Sequence, residues 1–491
     1  MKTLALIFTL CISAFAQVSV THIRNVTIVD GSGKPGFVGD VTIKGDVVSK
    51  IGKANSVKPR AGENVIDGTG LVLAPGFIDI HNHSESGLLR EGTAANQVSQ
   101  GITTVIVGPD GGSPESIGEY LAKLEGKIGI NVGAFIGHGT MRGIVMKEDY
   151  KRATTADELA ALEKLVDEAM KQGAFGLSSG LEYDMGFSAT TEELIALSKV
   201  AAKYGGVYMT HMRDEEEGVL NSIREAIKIG KEAKIPVQIS HIKMGNSSVW
   251  NKSSEAVAIV DDARKAGQDI TADAYPYTAW ASTITVLVPS RKHDDPAAVQ
   301  KGIDAIGGPD KVLITSCRAF PGYEGKTLDQ AAAMAGKSPV ETYIEIVKQG
   351  GAGVIGYGMT ESDVKRFYQT PWIMVSSDGG IGSRHPRGTG TFPRVLGRFV
   401  RENKWMSLEE AVRKMSSMPA DRLGLKDRGR IKKGLKADLV LFDANTILDN
   451  ATFVQPQVTS SGVKAVFVNG ARVWDGDKVT GAMSGSVLRR R

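Results

Sequence analysis

The segment Phe77-Ile78-Asp79-Ile80-His81-Asn82-His83 determines how the rest of the chain is interpreted. Its apolar start is typical of a buried parallel strand, and it ends in two histidines that are one residue apart. Residues i and i+2 of a strand share a face. His81 and His83 can therefore bind one metal ion just beyond the carboxyl end of the strand.

Four further polar residues follow strand-like runs. They are Asp110, His211, His241 and Asp378, which follow Thr103–Gly108, Val207–Thr210, Val237–Ser240 and Trp372–Ser377. An isolated His or Asp in such a place is commonly a cap or a hydrogen-bonded core residue. Four of the eight histidines, however, end strand-like segments in a regular order. This regularity favours a metal site assembled at one end of a barrel.

Between about residues 74 and 425, strand-like runs alternate with amphipathic helices. The runs lie at about 77–83, 103–108, 131–137, 174–179, 207–211, 236–241, 269–274 and 372–378. Thr155-x-x-Glu158 and Thr190-x-x-Glu193 are capping-box sequences that begin two of the helices. Eight such units predict an α/β fold, the (β/α)8 TIM barrel, in which the chemistry takes place at the carboxyl ends of the strands.

The two ends of the chain predict one small β-domain. Short alternating segments separated by turns occupy 17–73, and the same pattern returns within 426–491 at Ala437–Phe442 and Ala465–Val468. We expect a β-sandwich that both ends build together.

The interval before the last barrel strand is too long for one strand–helix unit. It contains strand-like pieces of its own, Val312–Ser316 and Val354–Tyr357. We therefore expect an inserted subdomain at about 285–350, near the barrel mouth. It is either a lid over the site or an insertion that only enlarges the barrel.

The N-terminus, Met1–Ala16, is typical of a secretory signal peptide. An apolar stretch, Leu4–Ile12, precedes the small-x-small site Ala14-Phe15-Ala16. We expect cleavage after Ala16 and a periplasmic or secreted protein.

Cleavage would remove Cys11 and leave Cys317 as the single thiol, so no intramolecular disulfide is expected. Phe8-Thr9-Leu10 is a poor lipidation sequence, which argues against a membrane anchor. Loss of Lys2 changes the formal charge from +4 to +3, too little to suggest a nucleic-acid partner. Arg489–Arg491 is expected to be a solvated tail, and the oligomeric state stays open.

The order of these motifs resembles the amidohydrolase superfamily: His-x-His after the first strand, single histidines after the fifth and sixth, and Asp after the eighth. The His-x-His pair marks only the superfamily. More specific blocks resemble the N-acyl-D-amino-acid deacylases, or D-aminoacylases, over nearly all of the chain after the signal. These blocks are Gly180-Leu181-Glu182-Tyr183, Ser377-Asp378-Gly379, His385-Pro386-Arg387, Gly390–Gly397 and Gly434–Leu439.

One segment departs from that family. The deacylases usually carry Gly-Asn-Cys-Gly after the second strand, with the cysteine as a metal ligand, whereas this chain has Gly108-Pro109-Asp110-Gly111. Asp110 is expected to replace the thiolate and is able to bridge two ions. The alternative is that it only caps the loop. A shell of nitrogen and oxygen ligands still accepts zinc but is harder, which shifts preference towards manganese or cobalt.

The resemblance implies a metal-dependent amide hydrolase that removes the acyl group from N-acyl-D-amino acids. One or two divalent ions, with zinc the first expectation, would be held by His81, His83, Asp110, His211, His241 and Asp378. A metal lowers the pKa of a bound water to about 7. Asp378 is expected to take the proton of the attacking water and pass it to the leaving amine.

The small-molecule substrate also needs a partner for its α-carboxylate. Lys243, Tyr275 and Arg387 match the residues that hold this group in the D-aminoacylases, with Arg384 or Tyr277 as alternatives if the loop register differs. Tyr183 is expected to polarise the scissile carbonyl. His138 is expected either to hydrogen-bond substrate or a ligand, or to have a structural role.

Two other functions remain open at this stage. A cyclic amidase or dipeptidase of the same superfamily commonly carries a lysine after the fourth strand, and Gly176–Gly180 has none. A metal-free binding paralogue is the alternative from another class. Retention of the four histidines and Asp378 argues against it.

Overall fold

The computed structural model describes residues 19–490, so the predicted signal peptide at 1–16 lies outside the described residues. The strands are β1 Val20–Ile28, β2 Phe37–Lys44, β3 Val47–Lys53, β4 Asn64–Asp67, β5 Val72–Pro75, β6 Phe77–Asp79, β7 Ile102–Val107, β8 Asn131–Ala134, β9 Ile136–Gly137, β10 Gly176–Gly180, β11 Val207–His211, β12 Val237–Ile239, β13 Ile270–Ala274, β14 Trp280–Thr283, β15 Val312–Ser316, β16 Gly353–Gly356, β17 Ile373–Val375, β18 Leu439–Phe442, β19 Val463–Val468 and β20 Ala471–Trp474.

The helices are α1 Glu85–Arg90, α2 Ala95–Val98, α3 Ile117–Leu124, α4 His138–Met146, α5 Ala156–Lys171, α6 Asp184–Phe187, α7 Thr191–Ala202, α8 Val219–Ala233, α9 Ser253–Lys265, α10 Pro296–Ala305, α11 Leu328–Ala335, α12 Pro339–Lys348, α13 Glu361–Tyr368, α14 Arg387–Arg394, α15 Leu408–Met415 and α16 Ser417–Leu423. A π-helical stretch, Val395–Glu402, extends α14.

Eight parallel strand positions form the predicted barrel. One sheet has the order β17-β13-β12-β11-β10-β9 and another the order β6-β7-β8, and β8 and β9 follow each other around Phe135 as the third barrel strand. The barrel closes between β6 and β17. There the His83 amide donates to the Gly379 carbonyl at 2.7 Å, and the Asp378 amide donates to the His81 carbonyl at 3.0 Å. The predicted TIM barrel is confirmed, and it closes where His-x-His meets Asp378.

Amphipathic helices cover the barrel as their sequences predict. In α5, Thr155 and Glu158 form the reciprocal capping box, and Leu162, Val166 and Ala169 are buried. Thr190 caps α7 by accepting a hydrogen bond from the Glu193 amide. These packed faces keep the strand ends at fixed positions.

Both chain ends contribute to one mixed sheet of eight strands. Its order is β20-β19-β18-β5-β1-β2-β3, with β4 paired to β1. β18 runs antiparallel to β5, with Leu441 opposite Leu73. Buried residues from both ends, including Ile23, Val41 and Phe467, form a core separate from that of the barrel.

The segment between β13 and β17 contains an antiparallel sheet of order β14-β16-β15 together with α10, α11 and α12. Its strands extend from Trp280 to Gly356, beyond the predicted 285–350 at both ends. Tyr343, Ile346 and Val354 lie in its own apolar core.

The C-terminal segment differs from the expected solvated tail. Its backbone pairs with the third barrel strand, because the Val132 amide donates to Ser486 at 3.0 Å and the Leu488 amide donates to Val132 at 2.7 Å. The Arg490 amide donates to Gly173, also at 3.0 Å. The prediction was wrong for Arg490, whereas Arg489 is exposed and Arg491 lies outside the described residues. Ser486 and Leu488 pair with the edge that β8 leaves open. Within residues 19–490, no helix has both the length and the apolar character that a membrane crossing requires.

Candidate metal centre and active site

The six predicted metal ligands come together at the carboxyl ends of the barrel strands. They form two overlapping groups, one of His81, His83, Asp110 and Asp378 and the other of Asp110, His211 and His241. Asp110 belongs to both groups. The loop after the second barrel strand therefore places a carboxylate between the two sets of histidines.

The spacing of the ligand atoms fits a divalent ion. The Asp110 Oδ2 atom lies 3.0 Å from His81 Nε2, 3.4 Å from His83 Nε2 and 3.3 Å from His241 Nε2. Two ligands bound to a tetrahedral zinc at about 2.0–2.1 Å are about 3.3 Å apart. The Oδ1 atom of Asp110 is buried and has no hydrogen-bond partner in the described structure. The residues present fit one ion, or two ions bridged by Asp110.

The charges of the ligand residues favour a positive charge in the space between them. Burial lowers the pKa of His83, but Asp110 and Asp378 outweigh burial and raise it to about 9. Burial raises the pKa of Asp110, but His81 and His241 hold it well below its usual value. A divalent ion satisfies the same demand of these carboxylates for positive charge.

Three of the ligands occupy unusual backbone conformations. The φ angles of Asp110, His241 and Asp378 are +54°, +31° and +47°. Residues other than glycine seldom adopt positive φ, and such residues cluster at functional sites where the surrounding structure enforces the conformation. A side chain at Gly111 would lie 2.7 Å from the Gly180 nitrogen, so the Asp110 loop needs glycine there to approach β10.

Several buried carboxylates contact the ligand histidines, some beneath them and some at the cavity wall. Asp273 Oδ1 lies 3.3 Å from His81 Nδ1, and Asp273 accepts hydrogen bonds from Gln238 and Ser376. Glu182 lies 2.6 Å from His211 Nε2. Such partners fix the orientation and tautomer of metal-binding histidines.

Sequence reasoning missed most of these carboxylates. An aspartate in the middle of the fully buried strand Ile270–Ala274 is one signal that was available. Glu215, four residues after His211 and 3.1 Å from His241 Nδ1, offers a weaker one. Its position depends on the path of a loop that the sequence pattern does not define.

The predicted substrate groups line a cavity of about 220 Å³ beside the ligands. The Arg387 guanidinium lies 4.7 Å from the centre of the Tyr275 ring and 2.8 Å from Asp378 Oδ2. The Lys243 ammonium donates to His241 Nδ1 at 2.9 Å and also contacts Glu215. The Tyr183 hydroxyl is 3.2 Å from His211 Nδ1. All four groups face the cavity.

His138 is not brought to this cavity. Its ring is fully buried, and its Nε2 atom lies 2.8 Å from Glu193 of α7. Glu193 also accepts two hydrogen bonds from the buried Arg142, both at 2.8 Å. The interpretation of His138 as a substrate or ligand contact is therefore corrected: α4 begins at His138, and its side chain joins α4 to α7.

The two alternative substrate residues also lie outside the cavity lining. Arg384 pairs with Glu324 at 2.8 Å, and the Tyr277 hydroxyl donates to the Pro386 carbonyl at 3.4 Å. The positions of these side chains therefore favour Arg387 and Tyr275, and not Arg384 and Tyr277, as the residues that bind the substrate α-carboxylate.

An open groove of about 1110 Å³ adjoins the cavity. The two share His83, Asp110, Tyr183 and Ser282. The groove is larger, but most of the titratable groups described above lie in the inner cavity. It connects the ligand residues with the solvent.

The sequence matches the model of the amidohydrolase family over residues 64–474. It is 37% identical to a D-aminoacylase of Alcaligenes xylosoxydans xylosoxydans over 94% of this chain and 96% of that protein. A solved D-aminoacylase structure, described as having a binuclear metal centre, superimposes with a TM-score of 0.87 at 35% identity, covering 96% of this chain and 99% of that chain.

A further solved structure is an N-acyl-D-glutamate deacylase of Bordetella bronchiseptica, in complex with zinc and a phosphonate that mimics the tetrahedral intermediate. It has a TM-score of 0.87 at 32% identity and covers 96% of this chain and 100% of that chain. With the barrel, the paired histidine groups and Asp378 in place, this agreement over nearly the whole chain means that the protein belongs to the amidohydrolase family and, within it, to the N-acyl-D-amino-acid deacylases.

Proposed function

We propose that the protein is a metal-dependent hydrolase that removes the acyl group from N-acyl-D-amino acids, releasing a carboxylic acid and a free D-amino acid. The observation that carries the proposal is the position of Asp110 between two sets of histidines, with Asp378 and Arg387 paired in the adjoining cavity. The similarity to a D-aminoacylase and to an N-acyl-D-glutamate deacylase supports the same substrate class.

The metal would be held by His81, His83, Asp110, His211, His241 and Asp378. Zinc is the first candidate, as one ion or two. A divalent ion bound there supplies a nucleophile at neutral pH by acidifying water, and it polarises the amide carbonyl. Asp273 and Glu182 keep the histidine rings in the orientation that this binding needs.

Asp378 is suited to move a proton between the attacking water and the leaving nitrogen. Its Oδ1 atom lies 3.2 Å from His83 Nε2, and its Oδ2 atom accepts from Arg387. The carboxylate thus faces both the ligand cluster and the substrate cavity. Tyr183, at the other side of the cavity, has a hydroxyl that can donate a hydrogen bond to the substrate carbonyl.

The α-carboxylate of the substrate would bind to Arg387, Tyr275 and Lys243. A buried unpaired charge is very costly, and an arginine can pair with a carboxylate through two hydrogen bonds. Because the carboxylate and the amide would both be fixed, the side chain of only one enantiomer would point into free space. The alternative of a cyclic amidase or dipeptidase is less favoured, since β10, the fourth barrel strand, contains no lysine.

The domain organisation is part of the proposal. The separate core of the terminal sheet supports one β-domain built from 17–73 and 426–491 around a barrel of 74–425, and a β-sandwich remains our proposal for its architecture. Trp280, Ala281 and Ser282 line the cavity, which supports a lid function for the inserted segment.

We also propose export of the mature protein, on the basis of the N-terminal sequence. N-terminal sequencing of the protein recovered from the periplasm or medium should begin at Gln17. Recovery of an uncleaved chain from the cytoplasm would contradict export.

The function is tested with matched pairs of N-acetyl-D- and N-acetyl-L-amino acids, with metal analysis on the same preparation. We expect hydrolysis of the D-enantiomers only. Arg387→Met should raise KM for N-acyl-D-amino acids far more than for the corresponding α-amides. Hydrolysis of neither enantiomer by a protein with a full metal complement would contradict the proposal, and equal losses on acids and amides would remove Arg387 from carboxylate binding.

A further inference from the structure

Two carboxyl groups of the cavity have no lysine or arginine partner among the described residues, and Glu182 contacts only the imidazole of His211. Glu182 and Glu216 are 6% and 8% exposed, and both line the cavity. The Oε1 atom of Glu182 and the Oε2 atom of Glu216 are buried without a hydrogen-bond partner. Buried carboxyl groups in this arrangement are costly to ionise unless a cation joins them.

The neighbouring charged residues are already paired with other groups. Lys243 contacts Glu215, and Arg387 contacts Asp378. Further out, Arg213 pairs with Glu225 at 2.8 Å, and Arg291 pairs with Asp184 at 2.6 Å. Among the described residues, none of these cations is paired with Glu182 or Glu216.

The order of strands in the barrel separates three directions around the scissile amide. The carboxylate-binding residues follow the sixth, seventh and eighth barrel strands, and the open groove lies over the loops near His83 and Pro109, after the first and second. Glu182 and Glu216 follow the fourth and fifth. A substrate with its carboxylate at Arg387 and its acyl group in the groove would therefore direct its side chain towards Glu182 and Glu216.

Apolar side chains line the part of the cavity that leads to Glu182 and Glu216. Trp280 and Val286 line the cavity, and the Trp280 indole donates to the Gly245 carbonyl at 3.1 Å. A side chain placed on Gly245 would lie 3.3 Å from Glu216 Oε1, so the tryptophan and the glutamate are neighbours. An alkyl chain can pack on this wall, and an aromatic face next to a carboxylate is a favourable place for a cation.

We propose that the enzyme prefers N-acyl-D-amino acids with a cationic side chain, such as lysine or arginine, and that Glu182 and Glu216 bind the cationic group. This inference rests on the proposed deacylase function and adds the class of side chain that the site selects.

The experiment uses the metal-loaded enzyme and pairs of substrates that differ in charge but little in shape. They are N-acetyl-D-arginine with N-acetyl-D-citrulline, and N-acetyl-D-lysine with N-acetyl-D-norleucine. We expect the cationic member to have at least a tenfold higher kcat/KM. Glu216→Gln should reduce that ratio severalfold or more. Glu217→Gln, a matched change at an exposed neighbour that pairs with Lys301, should leave the ratio unchanged.

Binding to the Asp378→Asn variant measures the same preference without turnover. Calorimetry with the four compounds should give tighter binding of the cationic members, even if Glu216→Gln proves unstable. Ratios near one in both kcat/KM and Kd, or ratios unchanged by Glu216→Gln, would overturn the inference. So would a loss of bound metal in Glu216→Gln, because the acids would then serve the metal. Loss of activity on all four substrates, with cationic binding retained, would contradict the deacylase function alone.

Discussion

Asp110 distinguishes this metal centre from one with a cysteine at the same position. Its Oδ2 atom is within 3.4 Å of three histidines, and its Oδ1 atom is buried and free to accept a second bond. A carboxylate is a harder ligand than a thiolate, so the metal preference of the site is expected to shift towards harder ions.

We predict that Asp110→Cys keeps metal bound and shifts the selectivity towards zinc over manganese, because it restores a soft thiolate. Asp110→Ala should lower metal content. Competition between the two ions, followed by metal analysis of the washed protein, measures both effects. Equal metal content and activity in wild type and Asp110→Ala would show that Asp110 only caps its loop.

For Asp378→Asn we predict that much of the metal is retained while kcat falls by about 10²–10⁴, the usual contribution of a general acid–base group. The reason is that the amide keeps the shape of the side chain but cannot accept the proton. Measurement of kcat normalised to metal content separates the two effects. A near-normal kcat would assign proton transfer to another group.

Most ligands could be predicted from the sequence because they follow strands whose period of two defines the side-chain direction. Glu215, Glu216 and Asp273 could not. The two glutamates lie on a loop. An acidic residue within the apolar strand β13 marks Asp273 as unusual, but its partner His81 is known only from the fold.

At the scale of elements, the buried contact between α4 and α7 gives His138 a structural role. It also explains why the capping box predicted at the start of α7 is incomplete. The sequence Thr190-x-x-Glu193 predicts a reciprocal capping box, but only the threonine half forms. The Glu193 carboxylate instead binds His138 and Arg142. Local patterns could not predict this, because the partners come from another helix.

This contact should contribute to stability in a pH-dependent way. Burial raises the pKa of Glu193, but His138 and Arg142 outweigh burial and lower it to about 2. A carboxyl with a lowered pKa stabilises the fold fully above its unfolded value, near 4.5, and progressively less as the pH falls towards 2. We predict that Glu193→Gln costs about 3 kcal/mol near neutral pH.

Urea unfolding of the wild type and Glu193→Gln at a series of pH values measures this difference. It should be largest above pH 4.5 and shrink as the pH falls. Glu192→Gln, on the exposed side of the same helix, is the control and should change stability little. A constant difference at all pH values would show that packing, and not charge, accounts for the effect.

For the whole molecule, the sequence predicted the alternation of eight strands and helices, and each strand lies close to its expected position. The extent of the insertion and the path of the C-terminal segment were not predictable to the same degree. Both depend on unpaired strand edges, which exist only after the barrel has formed. β10 pairs with β9 and not with β8, so β8 keeps an open edge, and Val487 of the C-terminal segment bridges to Val132 there.

We predict that Gly485→Ala displaces this segment and lowers Tm by a few degrees. A β-carbon there would lie 2.1 Å from the Ile130 carbonyl oxygen, so the backbone would have to move. Thermal unfolding measures the change, and Met483→Ala, at an exposed position two residues earlier, is the control. An unchanged Tm in Gly485→Ala would mean that the pairing of the tail contributes little to stability.

The pairing of β5 with β18 sets the order in which the chain is able to fold. About 360 residues separate the two strands, and a ribosome that adds about 5–20 residues per second needs about 20–70 s to make them. During that time the edge of β5 has no native partner. The terminal sheet therefore closes only near the end of synthesis, which leaves an unfinished chain that chaperones are able to bind.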